Sequence, residues 1–191
     1  MKLLRTCLTI TALLLVLCCA VYPDLVTAGA LLFFPEQARG SLVVRGGRVR
    51  GSSLIGQTFA DNAVRPEYFW GRPSAASEDR ATAVVASGGS NLGPRNPVRH
   101  DAVRQRVAAL RASGVTGPIP ADLVTASASG LDPHISPEGA RAQAPRVARA
   151  RGISEETVRA LINAHTEGRT LGFLGEPRVN VLALNLALDA R

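Results

Sequence analysis

The stretch Cys7–Tyr22, CLTITALLLVLCCAVY, decides the architecture, because it contains no charged side chain. Lys2 and Arg5 precede it and Pro23-Asp24 follows. The chain then turns apolar again through LVTAGALLFF before Pro35-Glu36. A helix crosses the hydrocarbon core of a bilayer with about 20 residues, each rising about 1.5 Å. The uncharged run is slightly short alone. With Asp24 at an interface and Leu25–Ala28 continuing the helix, the segment Cys7 to Ala28 is long enough to span. The expectation is a retained transmembrane anchor over residues 1–30 and one extramembrane domain over residues 31–191.

Two other readings use the same residues. A cleaved secretory signal has the basic start, the apolar centre and an A-x-A site at Ala28-Gly29-Ala30,. That site lies far beyond the apolar centre, and the apolar Leu31-Leu32-Phe33-Phe34 follows it. A lipoprotein cysteine at Cys18 or Cys19 fits less well, since Val16-Leu17 and Leu17-Cys18 are bulky where small residues are required. Orientation follows from flanking charge: no Lys or Arg occurs between Arg5 and Arg39, whereas Asp24 and Glu36 stand on the far side. Positive flanks stay in the cytoplasm, so the N-terminus is expected inside and the domain on the outer face of the membrane.

The 191 residues suffice for one ordinary domain and an anchor,. The formal net charge is +7, from 22 Lys+Arg against 15 Asp+Glu, and Lys2 is the only lysine. A basic balance is compatible with nucleic acid, an acidic lipid surface or an acidic partner. Aromatics make up only 4%, too few for a base-stacking platform, and the arginines are scattered, so nucleic acid is not an expected partner,. Cys7, Cys18 and Cys19 all lie in the apolar segment, which rules out disulfides and thiolate metal sites in the domain,.

Outward from the anchor, Leu42-Val43-Val44 and Val49 flank Gly46-Gly47, a two-residue hairpin signal. Ser53–Gln57 reads as a further strand and Tyr68-Phe69-Trp70 as a short aromatic one, with core packing its plainer role. Gly71 to Pro97 is loop-rich. Helices follow. His100–Ala112 carries Val103, Val107 and Leu110 at helical spacing. Ser136-Pro137-Glu138 starts another, running toward Gly152 with Pro145 inside. Ser154-Glu155-Glu156 opens a third, with Val158, Leu161, Ile162 and His165 on one face and Gly168 as its stop. Arg178–Leu188 fits helix and strand, and Pro177 tips it to helix. The fold class is α+β: one N-terminal transmembrane helix followed by a single mixed α+β domain.

The inventory for chemistry is thin. His100, His134 and His165 share no helical spacing, so a zinc site is not expected. No G-x-S-x-G elbow is present. A phosphate loop of the Walker type needs a lysine after its glycines, and the only lysine sits at the membrane,. No catalytic residue, metal ligand or covalent cofactor is assigned. Two polar segments stand out. In Ser87-Gly88-Gly89-Ser90-Asn91 the glycines allow backbone N–H groups to approach a phosphate or another stretch of backbone, or mark a simple turn cluster. Ala121–Pro137 reads as a tightly packed loop in which Asp132 or His134 braces the helix start at Ser136.

Strings along the whole chain resemble one family. GSSLIGQTF (Gly51–Phe59), YFWGRPSA (Tyr68–Ala75), SGGSNLGPRNP (Ser87–Pro97), DLVTASASGLDPHISP (Asp122–Pro137), RVARARG (Arg146–Gly152), HTEGR (His165–Arg169) and GEPRVNVLALNLALD (Gly175–Asp189) are similar to the C subunit of the bacterial high-affinity potassium-transporting ATPase, the KdpC family. The resemblance implies an accessory subunit of a potassium pump in the bacterial inner membrane. Its implied partners are a P-type ATPase subunit that hydrolyses ATP, a channel-like potassium subunit and a very small peptide subunit. It also implies a proposed role as a catalytic chaperone that raises the ATPase subunit's affinity for ATP. Ser87, Gly88, Gly89, Ser90 and Asn91 resemble the signature of ABC transporters and are the implied nucleotide-associating residues, although that signature ends in glutamine. An external domain sits on the wrong side for ATP, so charge and chaperone role conflict. Rival readings are an exported stand-alone hydrolase using Asp132, His134 and Glu167, and a periplasmic ligand-binding module.

Overall fold

The computed structural model describes residues 1–57, 65–79 and 84–190, which form two compact units, Met1–Ser52 and Ser53–Arg191. In the first unit one continuous helical rod runs from Lys2 to Phe33. It consists of α1 (Lys2–Val16), a π-helical turn (Leu17–Val21) and α2 (Tyr22–Phe33). The wide turn ends at Val21, two residues before Pro23. That residue has no N–H to offer the carbonyl four residues back, and its ring crowds that carbonyl; a widened turn is one way a helix accommodates both. At about 1.5 Å per residue the rod is roughly 48 Å long, more than a bilayer's hydrocarbon core of about 30 Å. None of its residues is buried.

After the short α3 (Pro35–Ala38), β1 (Leu42–Arg45) pairs antiparallel with β2 (Arg48–Ser52). The turn is as the sequence predicts: Gly46 at φ 60° and Gly47 at φ 72° supply the two left-handed residues of a tight hairpin,. The strands end there. Ser53–Ile55 is a turn and bend, and the expected strand over Ser53–Gln57 does not form. Instead the Gly56 N–H donates to the Leu131 carbonyl at 2.8 Å, tying this segment to a loop.

The second unit holds the core. Within the loop-rich stretch, β3 (Ser77–Asp79) pairs with β4 (Val84–Ala86); residues 80–83 lie outside the described residues. Helix α4 spans Pro97–Ala112, starting earlier than the periodicity predicts, because Asn96 caps it by accepting from the Val98 N–H,. Strands β5 (His134–Ile135), β6 (Thr166–Glu167) and β7 (Arg178–Asn180) form an antiparallel sheet in the order β5-β7-β6. Helix α5 (Pro137–Arg151) begins on the Ser136 cap and stops at Gly152, left-handed at φ 66°,. Helix α6 (Glu155–Ala164) begins on the Ser154 cap. It ends at His165 rather than Gly168, since Thr166 already belongs to β6.

Arg178–Leu188 resolves its own ambiguity by being both elements. Three residues pair as β7, and α7 (Val181–Leu188) starts at once. Asn180 is the joint: its Oδ1 accepts from the Ala183 N–H, while its Nδ2 donates to the Ser53 carbonyl at 2.8 Å. The core gathers Ile135, Val147, Val158, Ile162, Val179 and Leu184 from five of these elements, around the fully buried Phe69.

Phe69 and Trp70 pack in that core, as their plainer reading has it, yet they form no strand. Two amide side chains take the place of a neighbouring strand. Asn185 of α7 accepts from the Phe69 N–H at 2.8 Å and donates to its carbonyl at 3.0 Å. Gln143 of α5 does the same for Trp70, at 2.9 and 3.1 Å. Buried backbone groups must find partners, and here helices supply them.

Candidate functional site

The two polar segments singled out in the sequence meet in the second unit. The Gly88 N–H and the Ser87 hydroxyl both donate to the Ser129 carbonyl, at 2.9 and 2.8 Å. Contact this close needs bare backbone. A Cβ on Gly89 would lie 2.7 Å from the Ala128 oxygen, and one on Gly130, at φ 70°, would lie 2.7 Å from the Gly88 oxygen. Of the two approaches the glycines allow, the one to neighbouring backbone is present. Gly88 itself is not crowded, its nearest neighbour being the Ala75 oxygen at 3.9 Å. Ser87, Ser90 and Asn91 remain exposed, with Asn91 in the left-handed region at φ 51°.

The receiving loop is held from within. The Ser127 Oγ accepts from the Gly130 N–H, the Ser129 Oγ accepts from the Leu131 N–H, and the two hydroxyls stand 3.3 Å apart. Ser74 donates to the Gly130 carbonyl at 2.7 Å. The small residues of this loop therefore form turns that present the Ser129 carbonyl to the Ser87-Gly88 segment,. Beside it opens a cleft of about 360 Å³ lined by Leu54, Arg72, Ser127, Ser129, Asp132 and Pro133, among others. Arg72 crosses this region, its Nη1 on the Asp132 carboxylate at 3.1 Å and its Nη2 on the Ala126 carbonyl at 3.4 Å.

The helix start at Ser136 is braced by a different acid from those the sequence suggests. The Asp122 carboxylate accepts from the Ser136 N–H at 2.7 Å. Asp132 is occupied with Arg72 and with the His134 N–H at 3.0 Å. His134 Nδ1 lies 3.4 Å from the same carboxylate. Glu167, the third member of the hydrolase trio, does not join them. It pairs with Arg178 at 2.9 Å on β6, while His134 is on β5, across β7 and about two strand spacings, roughly 10 Å, away,. His165 bonds the Leu161 carbonyl through Nδ1, and His100 is exposed on α4. Among the described residues no group of three His, Cys, Asp or Glu could hold a metal ion.

The residues that sequence reasoning missed are polar groups inside the core. Arg146 is 3% exposed, its guanidinium donating to the Pro66 and Tyr68 carbonyls at 2.6 and 3.0 Å and to Gln143 at 2.7 Å. It lies 4.2 Å over the Trp70 ring, a cation–π stack,. Burial pushes its pKa down to about 10, offset in part by the Glu67 charge,. Arg151 repeats the pattern at the edge, over the Tyr68 ring at 4.9 Å and on Asp189 at 2.7 Å. In a sequence these read as two more arginines of a basic helix. Only an aromatic segment opposite gives them their role.

Fold and site together define a class: an α+β domain carried behind one apolar N-terminal helix, with its conspicuous polar motifs committed to holding its own loops together. Comparison with known proteins makes that class specific. The family model described as "KdpC: K+-transporting ATPase, c chain" matches residues 4–190, and the chain belongs to this family. It is 61% identical over 191 residues to the potassium-transporting ATPase KdpC subunit of Methylibium petroleiphilum, covering 99% of this chain and 97% of that protein. The protein of the same description from Variovorax paradoxus is 58% identical, over 98% of this chain and 95% of its own. That from Geobacter sulfurreducens is 56% identical, over 99% and 98%. The resemblance carried by the quoted strings is thus borne out along nearly the whole chain.

Proposed function

We propose that this chain is an accessory subunit of a high-affinity, ATP-driven potassium uptake pump, needed for its assembly and activity and without turnover of its own. Its partners are the P-type ATPase subunit, the channel-like potassium subunit and the small peptide subunit. One observation carries the reading: a chain of the KdpC family begins with a helix from Lys2 to Phe33 in which no side chain is buried, so its apolar surface faces lipid or other membrane helices,. Lys2 and Arg5, with no further Lys or Arg before Arg39, support a cytoplasmic N-terminus and a domain on the outer face of the inner membrane,.

The second reading is nucleotide association at Ser87–Asn91, by which the chain raises the ATPase subunit's affinity for ATP. The exposure of Ser87, Ser90 and Asn91 supports it. The use of the Gly88 N–H and the Ser87 hydroxyl on Ser129 weighs against it, because both donors would have to leave that carbonyl to cradle a phosphate,. It also requires the domain to lie on the cytoplasmic side.

Protease protection separates the two. Right-side-out vesicles carrying the whole pump, with an epitope after Arg191, are treated with protease from outside. Loss of the epitope is the expected result and leaves assembly as the function. Survival until the vesicles are opened would reverse the orientation and favour nucleotide association. The stand-alone hydrolase reading is tested separately: the purified full chain is expected to show no turnover, and His134→Ala to leave potassium uptake by the pump unchanged.

A further inference from the structure

Between β6 and β7 the chain builds a closed loop whose tip is apolar. The Thr170 N–H donates to the Leu174 carbonyl and the Leu174 N–H to the Thr170 carbonyl, both at 2.9 Å, and the Gly172 N–H closes on the Arg169 carbonyl at 3.0 Å. Arg169 and Glu176 clamp the neck at 2.6 Å, and Arg178 and Glu167 pair below it at 2.9 Å. Leu171 is held at φ 54°, a left-handed conformation that a leucine adopts only at a cost,. What this backbone displays is Leu171 at 80% exposure, Phe173 at 68% and Leu174 at 49%. Single exposed apolar residues such as Val98 need no explanation. Three on one pinned and strained loop do.

We propose that the Leu171–Leu174 tip is a docking knob that enters an apolar pocket on one of the pump's larger membrane subunits, an inference that rests on the accessory-subunit reading above. Two features single out a protein pocket as the occupant. A loop that inserts into lipid gains from free cations beside it, which meet the phosphate headgroups. Here both flanking arginines, Arg169 and Arg178, are committed to carboxylates, and the neck carries no net charge. Lipid also makes no demand on shape, whereas a pinned backbone lowers the ordering cost of entering a pocket of fixed form. A second copy of this chain is the alternative occupant, and a crosslinked product of twice the chain's mass would identify it.

The test uses the full chain co-expressed with the other pump subunits. The variant Leu171→Asn with Phe173→Ser keeps a residue suited to φ > 0 and removes two apolar side chains; each loss is on the order of tenfold or more in dissociation constant. The expected result is loss of the other subunits from the affinity-purified variant on washing, with its thermal unfolding midpoint equal to or above that of the wild type, since asparagine relieves the strain at position 171,. Retention of the subunits by a folded variant would overturn the knob. Failure of the wild-type chain itself to co-purify with them would instead remove the accessory-subunit reading. Should the variant not fold, a photoreactive phenylalanine at position 173 in the otherwise unaltered complex decides: an adduct with a larger pump subunit supports the proposal. An adduct only with lipid, or one of twice the chain's own mass, refutes it.

Discussion

Replacing Gly89 by alanine asks whether the glycines of Ser87–Asn91 serve the fold. The new methyl would sit 2.7 Å from the Ala128 oxygen and 3.6 Å from its carbon, and both atoms are backbone, unable to swing aside like a side-chain tip. Relief requires the two segments to part by about half an ångström. That stretches the 2.9 and 2.8 Å bonds from Gly88 and Ser87 to the Ser129 carbonyl. Overpacking of this kind costs about 1–3 kcal/mol. Gly88→Ala is the control next door: its methyl meets nothing closer than 3.9 Å and its φ is not left-handed. Alanine there should be neutral or stabilise by up to about 1 kcal/mol, through a less free unfolded chain. Trp70 is the only tryptophan and is 7% exposed, so its fluorescence follows urea unfolding of the core in the full detergent-solubilised chain. A lower midpoint for Gly89→Ala with an unchanged one for Gly88→Ala is the expected pattern. A wild-type midpoint for Gly89→Ala, or greater damage from Gly88→Ala, would refute close packing against the Ala128 carbonyl as the reason for glycine at position 89.

Asn185→Leu keeps the volume of the side chain but orphans the N–H and carbonyl of buried Phe69; a loss of roughly 2–5 kcal/mol is expected in the same urea titration,. Arg146→Met should behave differently with pH. Burial lowers the arginine's pKa to about 10, so above that value the folded state gives up its proton before the unfolded state does, and stability rises with pH. Below it both states are charged. The wild-type minus variant difference should therefore be flat at neutral pH and shift in favour of the wild type only above about pH 10, which circular dichroism melts across alkaline buffers would detect. In the apolar N-terminal helix, Leu14→Arg should cost about 2.5–3.5 kcal/mol of insertion free energy, measured as the inserted fraction in microsomes. Full insertion of that variant would mean that another stretch holds the protein in the bilayer.

The apolar N-terminal helix, the Gly46-Gly47 hairpin and the helices opened by Ser136 and Ser154 are all legible in the sequence, because each rests on a local rule: apolar length, left-handed glycine, hydroxyl cap. The errors have one physical origin. Ser53–Gln57 and Phe69–Trp70 have the composition of strands, but what bonds to their backbones is a loop carbonyl at Leu131 and the amides of Gln143 and Asn185, far away in sequence. Asp122 rather than Asp132 braces Ser136 for the same reason, since the choice between two nearby acids depends on Arg72 having already claimed one. At the candidate site the sequence shows that Ser87–Asn91 and the Ser127–Gly130 loop are unusual. That each accounts for the other is visible only in three dimensions.

The bonds between Asn185 and Phe69 span 116 positions of chain, and that distance has a consequence for how the protein is made. A ribosome adds about 5–20 residues per second, so roughly 6 to 23 s pass between synthesis of the aromatic segment and synthesis of its partner. Gln143 follows Trp70 by 73 positions, so for the first roughly 4 to 15 s neither amide partner has been made, and Asn185 is missing to the end of the interval,. The core closes only with the last helix. A chain cut short before α7 is left with its most aromatic segment without the Asn185 amide, its buried Phe69 backbone groups unpartnered and its core open,.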